Sequence, residues 1–205
     1  MIGGAAISVK QINDETMHML ELAYENVSQA FGQLLQFSDK IDEQIYKRED
    51  TVNYLDKVIS EYISTALATP NLNVNISQAL SSYYLMLVDI ERISDYAVNM
   101  NHQATKRLQG DMTISEIEIV EHMKKLCVDM KNDLSDVEEA ERKDDVIDSL
   151  VSSWREAQIQ ALKQQKCSSE VSMMLSRIFT DFERINDHAL NVSQEFDKIN
   201  IEIPE

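Results

Sequence analysis

Apolar residues recur at threes and fours along nearly the whole chain, the spacing that lines one face of a helix. Short polar breaks divide the pattern into six stretches. The first runs from about Ile12 to Phe37, and the second from about Lys40 to Ala68, where "TPNLN" stops it. The third starts near Asn75 and carries Ile76, Leu80, Tyr83, Leu87, Ile90 and Ala97 on one stripe. It ends near Leu108, with Gly110 as C-terminal punctuation. "TISEIE" opens the fourth, with Ser115 and Glu118 as the expected capping box and an end near Ser135. The fifth covers about Val137 to Gln165. The sixth runs from about Ser168 to Lys198, with Leu175, Ile178, Phe182, Ile185, Ala189, Val192 and Phe196 in step. Short connections make sequence neighbours antiparallel.

The six stretches fall into two sets of three. "DIERISDYAVNM" at 89–100 returns as "DFERINDHALNV" at 181–192, and seven of the first eleven positions are identical, polar ones included. One helix earlier, "REDTVNYL" at 48–55 lies over "KDDVIDSL" at 143–150. The second copy is three residues shorter between these motifs, a difference that belongs in the turn. The predicted fold is therefore all-α, with two tandem three-helix bundles related by an internal repeat. Residues 1–11 read as a linker, 12–110 as the first repeat, 111–200 as the second and 201–205 as a tail.

Composition agrees. Four Gly and two Pro in 205 residues leave few helix breakers. A formal charge of −17, from 36 acids and 19 bases, argues against a nucleic-acid partner and against a basic membrane-surface helix. No apolar run is long enough to span a bilayer, so this segment is not expected to insert into one. Cys127 and Cys167 make no metal-type spacing and read as reduced thiols.

The charge has a pattern. Residues four apart share a helix face, and Glu91 with Asp95, Glu183 with Asp187, and Asp144 with Asp148 are such pairs; Glu49 and Asn53 hold the same relation. Counting back from each turn at about 1.5 Å per residue brings the pairs of neighbouring helices to one height. Oxygen donors without His or Cys suit hard cations or ferric iron. A solvated acidic edge is the competing reading. A di-iron enzyme is disfavoured, because neither motif helix carries the Glu-x-x-His pair such bundles use. No Gly-rich phosphate loop or nucleophile triad is present. His18, His102 and His122 read as scattered surface or seam residues, and Trp154 as core.

"DIERISDYAVN" and "DFERINDHALN" resemble the twice-repeated signature of the PhoU family of phosphate-uptake regulators, an Asp followed by Glu-Arg-Ile-x-Asp-His-Ala-x-Asn. The likeness covers about residues 12 to 198. It implies tandem three-helix bundles, a non-catalytic role in regulating phosphate transport, and acidic Glu/Asp-x-x-x-Asp motifs that hold iron or zinc, with magnesium or manganese as alternatives. By position the implied metal ligands are Asp144, Asp148, Glu183 and Asp187 in the second repeat, and Glu91, Asp95 and Glu49 in the first. Asn53 stands where the family has an acid, and Tyr96 where it has the His that His188 keeps. The second repeat is therefore expected to bind more tightly, or alone. His188, Asp89 and Asp181 are expected behind the ligands.

The lead-in "AAISVKQINDETMHMLELAYENV" also resembles the segment after the membrane part of bacterial Na⁺/phosphate cotransporters. That implies a cytoplasmic domain tethered to the inner or plasma membrane, and it is favoured over a free-standing PhoU regulator. A metal-free helical adaptor is the third reading. The implied partner is a membrane transport domain or a phosphate-signalling protein, with a homodimer left open.

Overall fold

The computed structural model describes residues 3–104 and 111–202, with side chains described for 9–104 and 111–199. Among the described residues there are six helices: α1 Gly3–Leu35, α2 Asp39–Leu67, α3 Val74–Ala104, α4 Ile114–Asn132, α5 Val137–Lys163 and α6 Ser169–Glu202. Among the described residues there is no strand. The all-α fold and its element order follow the apolar spacing to within a few residues at most ends.

Three local readings differ. Residues 3–11, expected as a linker, belong to α1, because Val9 carries the stripe of Ile12 one turn back onto the core. The capping box of α4 is built by Thr113 and Glu116, not Ser115 and Glu118. The Thr113 hydroxyl accepts from the Glu116 N–H at 3.3 Å, and the Glu116 carboxylate accepts from the Thr113 N–H at 2.7 Å. That phase wins because Glu116 is buried and accepts a second bond from Gln158 of α5 at 2.7 Å. Leu108 and Gly110, the expected end of α3, lie outside the described residues. The turns after α2 and α5 each use one left-handed residue, Asn71 at φ 60° and Gln165 at φ 56°.

Packing follows the repeat. α1, α2 and α3 pack on one another, while α4 and α5 both pack on α6 and on each other. The bundles meet through α3 against α6 and α1 against α4. Exchanging the first three helices for the last three maps this set of contacts onto itself. The result is a ring of α1, α3, α6 and α4, with α2 covering α1 and α3 on one side and α5 covering α4 and α6 on the other. The core is continuous through both bundles. At its centre Phe31 of α1 meets Phe182 of α6 edge to face at 6.3 Å, although these helices do not pack directly. Trp154 is half-buried and stacks 6.2 Å from Phe179.

Both Phe31 and Phe182 are fully buried. Phe182→Ala is expected to cost about 3–5 kcal/mol, because the cavity would open between two bundles that cannot both collapse into it. Urea unfolding measures this, and a loss under about 1 kcal/mol would mean that the ring does not depend on this contact.

Candidate functional site

Each motif helix is brought beside its acidic neighbour, as the counting from the turns requires. In the first repeat the Ser94 hydroxyl donates to Glu49, and Asn101 donates to Asp42 at 2.6 Å, so α2 and α3 run antiparallel with their acids level. Glu49 is buried and is the best-anchored acid of this repeat. A polar chain crosses three helices to reach it: Arg48 donates to Asn26 at 2.6 Å, Asn26 to Ser94 at 3.1 Å, and Ser94 to Glu49. Burial pushes the Glu49 carboxyl up, and Asp95 adds to this, while bonds from Ser94 and Asn53 oppose it. Burial also raises Glu91, helped by Asp95, Asp56 and Glu49 and opposed by Arg92.

Asp56 was not among the residues singled out from the sequence. It is half-buried, and its field raises Glu91. The signal was available, since Glu49, Asn53 and Asp56 share one face at i, i+4 and i+7. Asp56 supplies the acid missing at Asn53, so the first repeat still carries four carboxylates. The corresponding residue of the second repeat is Val151.

In the second repeat Asp144, Asp148 and Asp187 gather. Burial first, then Asp148, Asp187 and Asp145, push the Asp144 carboxyl up to about 6. Its Oδ1 is buried without a hydrogen-bond partner. Glu183 is engaged differently. Arg155 of α5 donates to its carboxylate at 2.5 Å and to Thr180 at 3.1 Å. Among the described residues no three of His, Cys, Asp and Glu stand in a chelating arrangement.

The residues expected behind the acids form the joint between bundles. His188 Nδ1 lies 2.7 Å from Asp89 Oδ1, and Asn191 donates to the same oxygen at 3.0 Å. Tyr96 stacks on the His188 ring at 5.8 Å. His188 thus faces Asp89 of the other repeat rather than its neighbour Asp187. Arg92 and Arg184 pair with the second acid of their motifs, Asp95 at 3.3 Å and Asp187 at 3.5 Å. Arg92 also stands 3.7 Å from the Glu91 carboxylate of its own helix. Asp181 is half-buried, and burial pushes its carboxyl up to about 6 against the opposing field of Arg177.

Comparison with known proteins agrees with this duplicated geometry. The profile of the PhoU domain matches residues 16–104 and again 114–196. The phosphate-specific transport system accessory protein PhoU homolog 1 of Thermotoga maritima is 23% identical over 196 residues, spanning 90% of this chain and 83% of its own. The crystal structure of PhoU from Pseudomonas aeruginosa superposes with a TM-score of 0.80 at 18% identity, over 95% of this chain and 97% of that one. The phosphate transport system regulatory protein PhoU from Streptococcus pneumoniae gives 0.80 at 17% identity, over 95% and 96%.

Asp144 and Asp181 both sit above the ordinary Asp value of 3.8. Between that value and about 6 the folded chain holds protons that the unfolded chain has released. Stability should therefore fall as pH rises through this window, and the loss should be complete above it. Asp144→Asn is expected to raise the urea midpoint at pH 7 and to flatten the decline between pH 4 and 6. A lower midpoint at pH 7 with an unchanged decline would show that the Asp144 charge is not opposed by its surroundings.

Proposed function

The chain belongs to the PhoU family, and on that premise we propose that it acts as a non-catalytic accessory regulator of phosphate transport in the cytoplasm. The observation that carries this reading is the match of the PhoU domain to both repeats, joined to a relative whose name assigns it to a phosphate-specific transport system. That relative and the two solved structures are matched along most of their lengths, which supports a PhoU regulator in its own right over the transporter-linked reading. The latter rests on residues 5–27 alone. No described helix is long and apolar enough to cross a membrane.

The working principle we propose is binding through cations. What supports this reading is the buried Oδ1 of Asp144, which has no hydrogen-bond partner among the described residues and lies in the field of Asp148 and Asp187. Asp144, Asp148, Asp187 and Glu183 would hold a cation in the second repeat. Glu49, Glu91 and Asp95 would do so in the first, with Asn53 offering a neutral carbonyl oxygen. All are oxygen donors, in keeping with iron, manganese or magnesium, and zinc also accepts carboxylates. A bound ion would supply local positive charge on a surface of net charge −17, where an anion or an acidic partner could then dock. The protein's own part is to hold like charges half-buried and close, so that a cation relieves their repulsion.

Two experiments test these layers separately. In a bacterium lacking its own PhoU gene, this chain is expected to restore repression of phosphate uptake in phosphate-rich medium; uptake that stays high would remove the regulatory reading. For the cation layer, elemental analysis of protein purified without chelator is expected to find metal. Its content should fall in the Asp144→Ala, Asp187→Ala double variant and disappear when Glu49→Gln and Glu91→Gln are added. Metal content unmoved by all four changes would place any ion elsewhere.

A further inference from the structure

We infer that the groove between α5 and α6, near their turn, is a docking site for an acidic amphipathic segment of a partner protein. The segment seats an apolar side chain in the groove and its carboxylates on the bases around it. The groove has a volume of about 370 Å³. Ile159 of α5 and Met173 of α6 line it and stay 52% and 61% exposed, while Phe179 lines it from the buried core. Ser172 and Ser176 lie along it as well. The first repeat is built the other way round. Aligning the two copies sets Ser172 and Ser176 over Leu80 and Tyr84, and Ile159 and Met173 over Ser64 and Ser81. In the second repeat the small residues therefore lie along the groove, and large apolar ones stand exposed beside it. That exchange opens a hollow and leaves apolar surface against water, the mark of a contact surface. Met is also the apolar side chain that best adapts to a partner's shape.

Charge selects the occupant. The chain carries −17 overall, yet residues 155–177 hold four bases, Arg155, Lys163, Lys166 and Arg177, against two acids, Glu156 and Glu170. The corresponding stretch of the first repeat, 60–85, holds one acid, Glu61, and no base. Lys163 lies one turn beyond Ile159 on α5, and Arg177 one turn beyond Met173 on α6. Both are exposed, so bases flank the apolar rim on its two sides, with Lys166 between the helices. Arg155 is already committed, to Glu183 at 2.5 Å and over the Phe179 ring at 5.6 Å, which leaves the other three to receive carboxylates. A second copy of the chain would set −17 against −17 outside the groove. A membrane would need apolar side chains that protrude, and this surface is hollow. An acidic segment with one apolar face satisfies the hollow and the bases together, as a helix does in a groove. The inference does not depend on whether the acid clusters hold a cation.

The probe is a fluorescein-labelled helical peptide with Leu along one face and Glu elsewhere, titrated with the whole chain and followed by fluorescence anisotropy. Saturable binding is expected, weakened by added salt. Ser176→Tyr, which copies Tyr84 of the first repeat into the groove, should weaken it by about tenfold, the scale of one lost apolar anchor. Ser176→Ala leaves the groove open and should change nothing. Met173→Ser, the residue of the first repeat at that position, should weaken binding from the rim without filling the groove. Lys163→Glu with Arg177→Glu should weaken it by a similar factor. Absence of saturable binding would overturn the inference, as would binding that Ser176→Tyr and Met173→Ser both leave unchanged. Sedimentation as a dimer that Ser176→Tyr dissociates would also overturn it, by giving the groove to a second copy. So would binding to phosphatidylserine vesicles that is lost in the Lys163→Glu, Arg177→Glu protein while the peptide goes unbound.

Discussion

The joint between α3 and α6 is the constraint on which the rest of the molecule depends. Two three-helix bundles can share one core only if each turns its motif helix toward the other, and a helix carrying Asp, Glu, Arg and Asp within seven residues is a poor surface to bury. Asp89 resolves part of this. Its carboxylate, only 15% exposed, accepts from Asn191 and faces His188, so the polar group that enters the joint is matched by donors from the opposite repeat. Tyr96 covers the His188 ring, and Ile90, Ile93, Ile185 and Ala189 close the apolar part. With Asp89 committed inward, Glu91 and Asp95 are left at the rim, facing α2 rather than α6. The site is placed by the joint.

The same geometry sets the electrostatic cost. A rim position is neither solvated enough to screen four carboxylates nor dry enough to force all of them neutral. Glu49 and Glu91 are raised mainly by burial and then by one another's neighbours, while Asp144 reaches about 6. In the first repeat a chain of donors from Arg48 through Asn26 and Ser94 partly offsets this cost. In the second, the residue corresponding to Ser94 is Asn186, which donates to the carbonyl of its own helix at Phe182. Its side-chain oxygen is buried without a partner, as is Oδ1 of Asp144. The two copies therefore carry the same acids with different internal compensation.

The fold was legible because helix periodicity and the duplicated phrase are properties of the sequence itself. Apolar spacing located all six helices, and the repeat gave their grouping. The acid pairs were legible for the same reason: i and i+4 share a face whatever the tertiary structure. What lay beyond reach was every relation that crosses helices at an angle sequence does not state. Arg155 is far from Glu183 along the chain, and only the rotation of α5 on α6 brings them together. His188 looked like a neighbour of Asp187 because it follows it in sequence, yet adjacent residues on a helix point about 100° apart. The capping box of α4 was expected at Ser115 and Glu118, and it forms two residues earlier at Thr113 and Glu116, where Glu116 also takes a buried bond from Gln158. Asp56 was readable and was passed over because attention to pairs four apart stopped one turn too early.

Duplication makes the final step of the reading possible. When a unit is copied and fused, both copies begin with the same ligands and the same burden of like charge, and the packing that relates them preserves their geometry. Divergence then acts on compensation. The first copy carries Asn53 where the second has Asp148, and has Asp56 one turn on. The second has Val151 there and keeps all four motif acids, but sets Arg155 against one of them. Two acidic clusters with unequal internal compensation therefore flank one joint. Part of that difference lies in the flanking helices, in Asp56 of α2 and Arg155 of α5, and part in the motif helices, in Ser94 of α3 and Asn186 of α6.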